Sequence, residues 1–252
     1  CSVTALGAPT GPAGVRPPPP HARFDYQIGQ PYPPPAEVRV VTRDRSAAPV
    51  PALYNVCYVN AYQAQPDETD WWLRRHPDLV LTNRDGHDVR DPNWNELLLD
   101  TATPGKRAEL AGIVDGWIDG CAHSGFNAVE PDNLDSWTRS AGLLTAADAL
   151  AFATVIIAHA HADGLAVAQK NGADIAIQGR GAGFDFAVAE QCADYDECQS
   201  YTAAYGNEVI VIEYSADGLA TACAGWGHTL SVVRRDVEVT APGSSGYVYQ
   251  AC

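Results

Sequence analysis

Methionine is absent from all 252 residues, position 1 included. A chain that does not open on an initiator reads as one whose N-terminal targeting segment has been removed, which implies export. Basic residues are scarce: 16 Lys and Arg stand against 31 Asp and Glu, a net charge of −15. That balance excludes nucleic acid as a partner, because phosphate binding needs the opposite sign. It would draw in a cationic ligand. No apolar run approaches the roughly 20 residues of a membrane helix, so no transmembrane segment is expected. There is no Gly-x-Ser-x-Gly elbow, which argues against a serine hydrolase of that type. Gly179 to Phe184, "GRGAGF", precedes a strand candidate, whereas a dinucleotide fingerprint follows one, so this stretch reads as a loop. His159 and His161 stand two apart on a helical pattern and point in different directions, which denies them a one-sided metal chelate.

What is present begins with seven cysteines, at positions 1, 57, 121, 192, 198, 223 and 252. That many thiols in one domain fit disulfides formed in an oxidising compartment. The odd one is Cys1. It is followed by Ser2 and a Gly-, Ala- and Pro-containing stretch that ends in Pro17 to Pro20. This resembles the mature end of a bacterial lipoprotein, a lipid-bearing Cys1 on a flexible tether; the alternative is an arbitrary start that falls on Cys. Residues 1–22 are accordingly assigned to a Pro/Gly-rich tether and 23–252 to a single domain. The expected location is extracellular, secreted or held at the outer face of the cell membrane through Cys1, and the expected state is a monomer.

From Phe24 onward eight β-branched or aromatic runs recur: "FDYQIG" (24–29), "VRVVTRD" (38–44), "LYNVCYVNAY" (53–62), "NAVEPD" (127–132), "LAVAQKN" (165–171), "FDFAVAEQ" (184–191), "EVIVIEY" (208–214) and "LSVVRRD" (230–236). Helical patterns lie between several of them, at 105–125 and 145–164, with Thr145 as N-cap and Gly125 and Gly164 just past the ends. Alternating strand and helix predict parallel strands with crossover helices, and eight strands predict an α/β fold of the (β/α)8 TIM-like barrel type. Two places depart from the ideal: "QPYPPPAE" between the first two strands is too short and Pro-rich for a helix, and the tail after the eighth strand looks extended. Residues 70–100 insert extra loop, with a small hairpin predicted beside the barrel mouth.

In such a barrel the C-terminal strand ends face the active site. Polar residues stand at those ends repeatedly: Asp25 and Gln27; Asn60; Glu130, Asp132 and Asn133; Gln169, Lys170 and Asn171; Glu190 and Gln191; Glu213 and Tyr214. Any one of them alone reads as a helix cap or a loop ion pair. Repetition around one mouth points instead to paired carboxylates of the kind glycosidic cleavage requires. Lys170 would lie between the acids of the neighbouring strands, holding one of them ionised or serving as a structural ion pair. Glu130 has the parity of Asp132 but sits deeper, which favours a supporting role. Tyr26, Tyr62, Trp137 and Tyr214 are the aromatics placed to touch a sugar.

With these residues assembled, the chain resembles the endo-α-1,4-polygalactosaminidase family, glycoside hydrolase family 114. The resemblance rests on "FDYQIG", "YNVCYVNA", "GFNAVEPDNLD", "AVAQKN", "FDFAVAEQC" followed by "YDEC", and "VIEY", in that order. It implies a (β/α)8 barrel that hydrolyses α-1,4-linked galactosamine polymers, cationic microbial exopolysaccharides, without metal or organic cofactor. The acids of the EPDN and EQC motifs, here Asp132 and Glu190, would be the catalytic pair. Asp25, Tyr26, Gln27, Asn60, Tyr62, Glu130, Asn133, Trp137, Lys170, Gln191, Glu213 and Tyr214 would surround substrate. The long 70–100 insertion and Gln169, where the family commonly has Leu, depart from the pattern and leave subsites and exact substrate open.

Retention of configuration is expected, with Asp132 as nucleophile and Glu190 as acid and base. The rival readings are an idle carbohydrate-binding barrel and a glycosidase acting on another amino-sugar polymer. The expected disulfides are Cys57–Cys121, tying the third strand to the next helix, Cys192–Cys198, closing a short loop, and Cys223–Cys252, pinning the tail.

Overall fold

The computed structural model describes residues 14–252. Eight strands form its centre: β1 Phe24–Gln27, β2 Val40–Asp44, β3 Tyr54–Asn60, β4 Ala128–Asp132, β5 Ala166–Lys170, β6 Phe186–Glu190, β7 Val209–Glu213 and β8 Ser231–Arg235. Each falls within one of the eight runs read from the sequence. All neighbours from β1 to β8 pair in parallel, in chain order. The tail returns as β9, Tyr249–Ala251, antiparallel on the free edge of β8. No backbone ladder joins β8 to β1. The seam is instead tied by side chains, chiefly Arg235 of β8 to Asp25 of β1 at 3.0 Å. The result is a nearly closed TIM-like barrel.

Alternation along each strand sorts the core into two layers. Phe24, Tyr26, Val40, Val56, Ala128, Ala166, Ala168, Phe186, Val188, Ile210, Ile212 and Val233 fill the lumen, where alanines on β4 and β5 leave room for the phenylalanines of β1 and β6. Cys57, Val59, Val129, Val167, Ala187, Ala189, Val209 and Val211 face outward onto the helices. Those helices are α1 Thr69–Arg75, α2 Pro104–Ser124, α3 Ala146–Ala162, α4 Ala176–Ala182, α5 Cys198–Tyr205 and α6 Ala216–Trp226.

Local chemistry sets the helix bounds. Thr103 accepts from the Lys106 N–H and Pro104 opens α2, which ends where Gly125 turns to φ 93°. Thr145 and Asp148 form a reciprocal capping box on α3, each side chain bonding the other's backbone N–H. No regular helix lies between β1 and β2, where the Pro-rich link runs.

Disulfides join Cys57 to Cys121, Cys192 to Cys198 and Cys223 to Cys252, as expected. Cys1 lies outside the described residues. Of the stretch read as tether, Val15 packs against the lumen cluster, Pro18 is buried and the Arg16 carbonyl accepts from the Tyr54 hydroxyl at 2.6 Å. Among the described residues no helix is long and apolar enough to cross a membrane.

Candidate active site

The mouth is built by one local device used three times. Asp132, Lys170 and Glu190 are the last residues of β4, β5 and β6, and each is followed by a residue in the left-handed region: Asn133 (φ 64°), Asn171 (φ 54°) and Gln191 (φ 56°). Asn enters that region more readily than most residues, so the chain leaves the sheet directly after each functional side chain. The paired ladder between β4 and β5 stops at Val129 and Val167. Pro131, which has no N–H to donate, follows that point.

Lys170 fills the gap. Its ammonium is buried and lies 3.1 Å from Asp132, 3.2 Å from Glu190 and 3.5 Å from Glu130. Burial works to lower its pKa, but the charges of Asp132, Glu190 and Glu130 outweigh that and hold it well above the ordinary lysine value.

Each acid has a different surrounding. Asp132 accepts from the Tyr58 hydroxyl at 2.6 Å, from the Asn133 N–H at 2.7 Å and from Lys170. Burial acts to raise its pKa, yet the Lys170 charge and these donors carry it below the usual carboxylate value. Glu190 accepts from Asn171 Nδ2 at 2.9 Å and from the Tyr214 hydroxyl. Glu130 lies deeper and fully buried, accepting from Tyr26 at 2.7 Å, and burial pushes it up to about 7 against the pull of Lys170.

Asp132, Glu190 and Lys170 line a cavity of about 270 Å³ with Tyr58, Tyr214, Asn133, Asn171 and Trp94. A second cavity of about 430 Å³ shares Glu190, Asn171 and Asp135 with the first and adds Gln191, Asp174, Glu197 and Tyr201. Glu190 therefore stands in the wall of both, and the two form one elongated cleft.

The structure gathers Tyr26, Asn60, Glu130, Asp132, Asn133, Lys170, Glu190, Gln191 and Tyr214 at or directly beneath this cleft. Five of the residues assigned to substrate lie elsewhere. Tyr62 is buried under α3, edge-on to Phe152 and donating to the Ala149 carbonyl. Trp137 packs into the hydrophobic core and lines neither cavity. Asp25 and Gln27 occupy the opposite face of β1 from Tyr26, bonded to each other at 2.8 Å and to Arg235 and Arg43. Glu213 is on the opposite face of β7 from Tyr214, where one oxygen accepts from the Ala193 N–H at 2.9 Å and burial pushes its pKa up to about 7.

The sequence does not single out Tyr58, which strand parity with Asn60 would have found, or Glu96 of the 70–100 insertion, although the hairpin expected in that insertion is present. That insertion forms the small hairpin at Thr82–Asp88 and pairs Leu97–Leu98 with Gln63–Ala64. Its "DPNWNE" turn then sends Glu96 into the mouth, where Asn60 and Gln63 donate to it at 3.0 and 2.9 Å. Arg139 ties Asp91 to Asp135 at 2.9 and 3.0 Å alongside. Among the described residues, two groups have metal-ligand spacing. In Cys192, Cys198 and Glu213 the sulfurs are already joined to each other. Asp119, His159 and Asp163 lie on the outer helices. His161 bonds Asp185 instead, so the two histidines do diverge.

The model for glycoside-hydrolase family GH114 matches residues 5–252. Among curated proteins there is no match. The crystal structure of Aspergillus fumigatus Ega3 in complex with galactosamine superposes with a TM-score of 0.75 at 22% identity, covering 94% of this chain and 98% of that one. The glycoside hydrolase domain of PelA from Pseudomonas aeruginosa gives a TM-score of 0.62 at 17% identity, covering 90% of this chain and 99% of that one. A family match across the whole described barrel, on a mouth that brings two carboxylates to one buried ammonium, leaves one conclusion: the chain is a glycoside hydrolase and belongs to family GH114.

Proposed function

We propose that this enzyme cleaves internal α-1,4 linkages in galactosamine-containing, cationic exopolysaccharide with retention of configuration, Asp132 acting as nucleophile and Glu190 as acid and then base. The carrying observation is that Asp132 and Glu190, from non-adjacent strands, approach the same Lys170 ammonium at 3.1 and 3.2 Å in the wall of one cavity. Two carboxylates that share one ammonium lie close together, which favours a retaining pair over the more widely spaced inverting one. Asp132, ionised by its donors, attacks the anomeric carbon while the Glu190 carboxyl protonates the departing glycosidic oxygen. The resulting glycosyl ester on Asp132 is hydrolysed by a water whose proton returns to Glu190.

The substrate class is supported by the net charge of −15 and by the galactosamine bound in the Ega3 structure. Three disulfides support action outside the cytoplasm. Lipid attachment at Cys1, and monomeric action, complete the proposal. An idle carbohydrate-binding barrel would have no need of the full set of Asp132, Glu190 and Lys170.

The test is incubation with polygalactosamine and with its fully N-acetylated form, followed by mass spectrometry of the released oligomers and NMR of the new reducing end. Internal products with retained α configuration are expected. No release from either polymer would sink the enzyme reading, and β products would sink retention alone.

A further inference from the structure

Five carboxylates line the cavity beside Asp132: Asp91, Glu96, Asp132, Asp135 and Glu190. Four are paired with a cation, Asp91 and Asp135 with Arg139, and Asp132 and Glu190 with Lys170. Glu96 has no cationic partner among the described residues. Its Oε2 takes the amide donors of Asn60 at 3.0 Å, Gln63 at 2.9 Å and Asn133 at 3.4 Å. Oε1 accepts from none of the described residues, so the carboxylate is fixed through one oxygen in the wall of the cavity.

Burial raises the Glu96 pKa, the Asn60 and Gln63 donors oppose this, and the nearby Asp132 and Asp91 charges add to it. A partly buried acid crowded by other acids is the complement of an incoming cation. An ammonium group satisfies both charge and hydrogen bonding at Oε1. An acetamido group at the same carbon is neutral and bulkier, and offers a weaker donor.

We propose that Glu96 is a specificity-determining residue that binds the free ammonium of a sugar unit seated against the Asp132 wall, so that the enzyme selects deacetylated units there. Asn60 and Asn133 hold it in place, and Asn133 is bonded directly to Asn60 at 2.9 Å. This inference rests on the polygalactosamine reading and narrows it to one side chain.

The experiment compares wild type, Glu96→Gln and Glu96→Asp as intact protein, all checked by thermal melting. Binding of a short galactosamine oligomer and of its N-acetylated counterpart is measured by calorimetry. Glutamine keeps an oxygen for the three amides but turns an N–H toward the cavity, whereas aspartate keeps the charge. Glu96→Gln should raise Kd for the free amine about tenfold or more, as expected for a lost hydrogen bond to a charged group, while Kd for the acetylated oligomer moves less than about threefold. Glu96→Asp should retain at least part of the selectivity. The proposal is overturned if Glu96→Gln keeps the wild-type ratio of the two affinities, or if Glu96→Asp loses selectivity as completely as Glu96→Gln does. Failure of the wild type to cleave polygalactosamine at all would instead strike the proposed function, because these binding measurements need no turnover.

Discussion

Two buried cations sit at the top of this barrel, and their surroundings differ in kind. Arg235, at the seam, is fully buried and has every nitrogen engaged: Nη1 with Asp25 at 3.0 Å, Nε with the Val248 carbonyl at 2.8 Å and Nη2 with the Thr240 carbonyl at 2.7 Å. Asp25 is equally occupied, receiving Gln27 and Tyr32 as well. Lys170 is as deeply buried but serves three acids at once, and two of them reach the cavity with side-chain exposures of 15% and 24%. The seam is a closed set in which each guanidinium nitrogen has an acceptor. The mouth is an open set with more negative charge than its cation balances. A closed pair holds strands together, whereas an open one is suited to exchanging protons and binding a positively charged ligand.

The largest effects should come from the open set. Glu190→Gln should lower turnover roughly 10²–10⁴-fold through loss of acid–base function, and Asp132→Asn at least as much, both with melting temperatures near wild type. Turnover on polygalactosamine, read beside circular dichroism, checks this, and substantial activity in either variant would remove that residue from the proposed pair. The seam should behave the opposite way. Arg235→Met strands the Asp25 carboxylate in the core, at a cost of about 3–5 kcal/mol in unfolding free energy, while turnover per folded molecule stays close to wild type. Adding Asp25→Asn to Arg235→Met should recover part of the loss, since no unpaired charge then remains. If the seam variants lost turnover without losing stability, the contrast between the two clusters would fail.

The contrast also explains what could be read in advance. The eight strands and the Asp132, Lys170 and Glu190 positions were legible because each depends on local rules, strand period and acids at strand ends before residues that turn the chain. The disulfides were expected too, but Cys57–Cys121 and Cys223–Cys252 span 64 and 29 residues and follow no local rule. Asp25, Gln27 and Glu213 were assigned to the mouth because they too stand at strand ends. One residue of register decides which face they occupy, and a strand's ends alone do not reveal it. Parity with Tyr26 and Tyr214 would have turned them away from the lumen, and parity with Asn60 would have brought Tyr58 in. Glu96 had no such signal, because its position depends on how a 70–100 loop folds back over the barrel.

Glu130 sharpens the comparison from the side of pH. It is a mouth residue held under the cleft, and burial lifts it from the ordinary 4.5 to about 7. A carboxyl whose folded pKa is raised binds more protons folded than unfolded, so stability falls as pH rises from about 4.5 to 7 and is level above. Glu130→Gln removes that slope and should leave the protein relatively more stable at pH 8, by on the order of a few kcal/mol. Glu213, also near 7, contributes a slope of the same sign, so Glu130→Gln alone should flatten the curve only in part. Urea denaturation across pH 4–8 measures it, and an unchanged slope would show that Glu130 is not the titrating group.

The smallest effect belongs to a third cluster, which tests whether excess acid alone makes a site. His159 on α3 lies 2.7 Å from Asp119 and 3.6 Å from both Asp115 and Asp163. Burial acts to lower its pKa, but the Asp119 hydrogen bond and the three carboxylates outweigh that and raise it above 6.5. This cluster sets three acids around one cation, as the mouth does around Lys170, yet it is partly exposed to solvent and lines neither cavity of the cleft. A histidine with a raised folded pKa stabilises the protein fully below the unfolded value of about 6.5, and that stabilisation is lost as pH rises through the folded pKa. Melting temperatures of wild type and His159→Gln should therefore differ most near pH 6 and converge in alkaline buffer, by less than either seam variant, with turnover unchanged throughout. A gap that widened with pH would reverse the sign and refute the ion-pair account. A loss of turnover would mean that the outer helices feed the cleft, and that burial beside a cavity is not what separates the working acids from the rest.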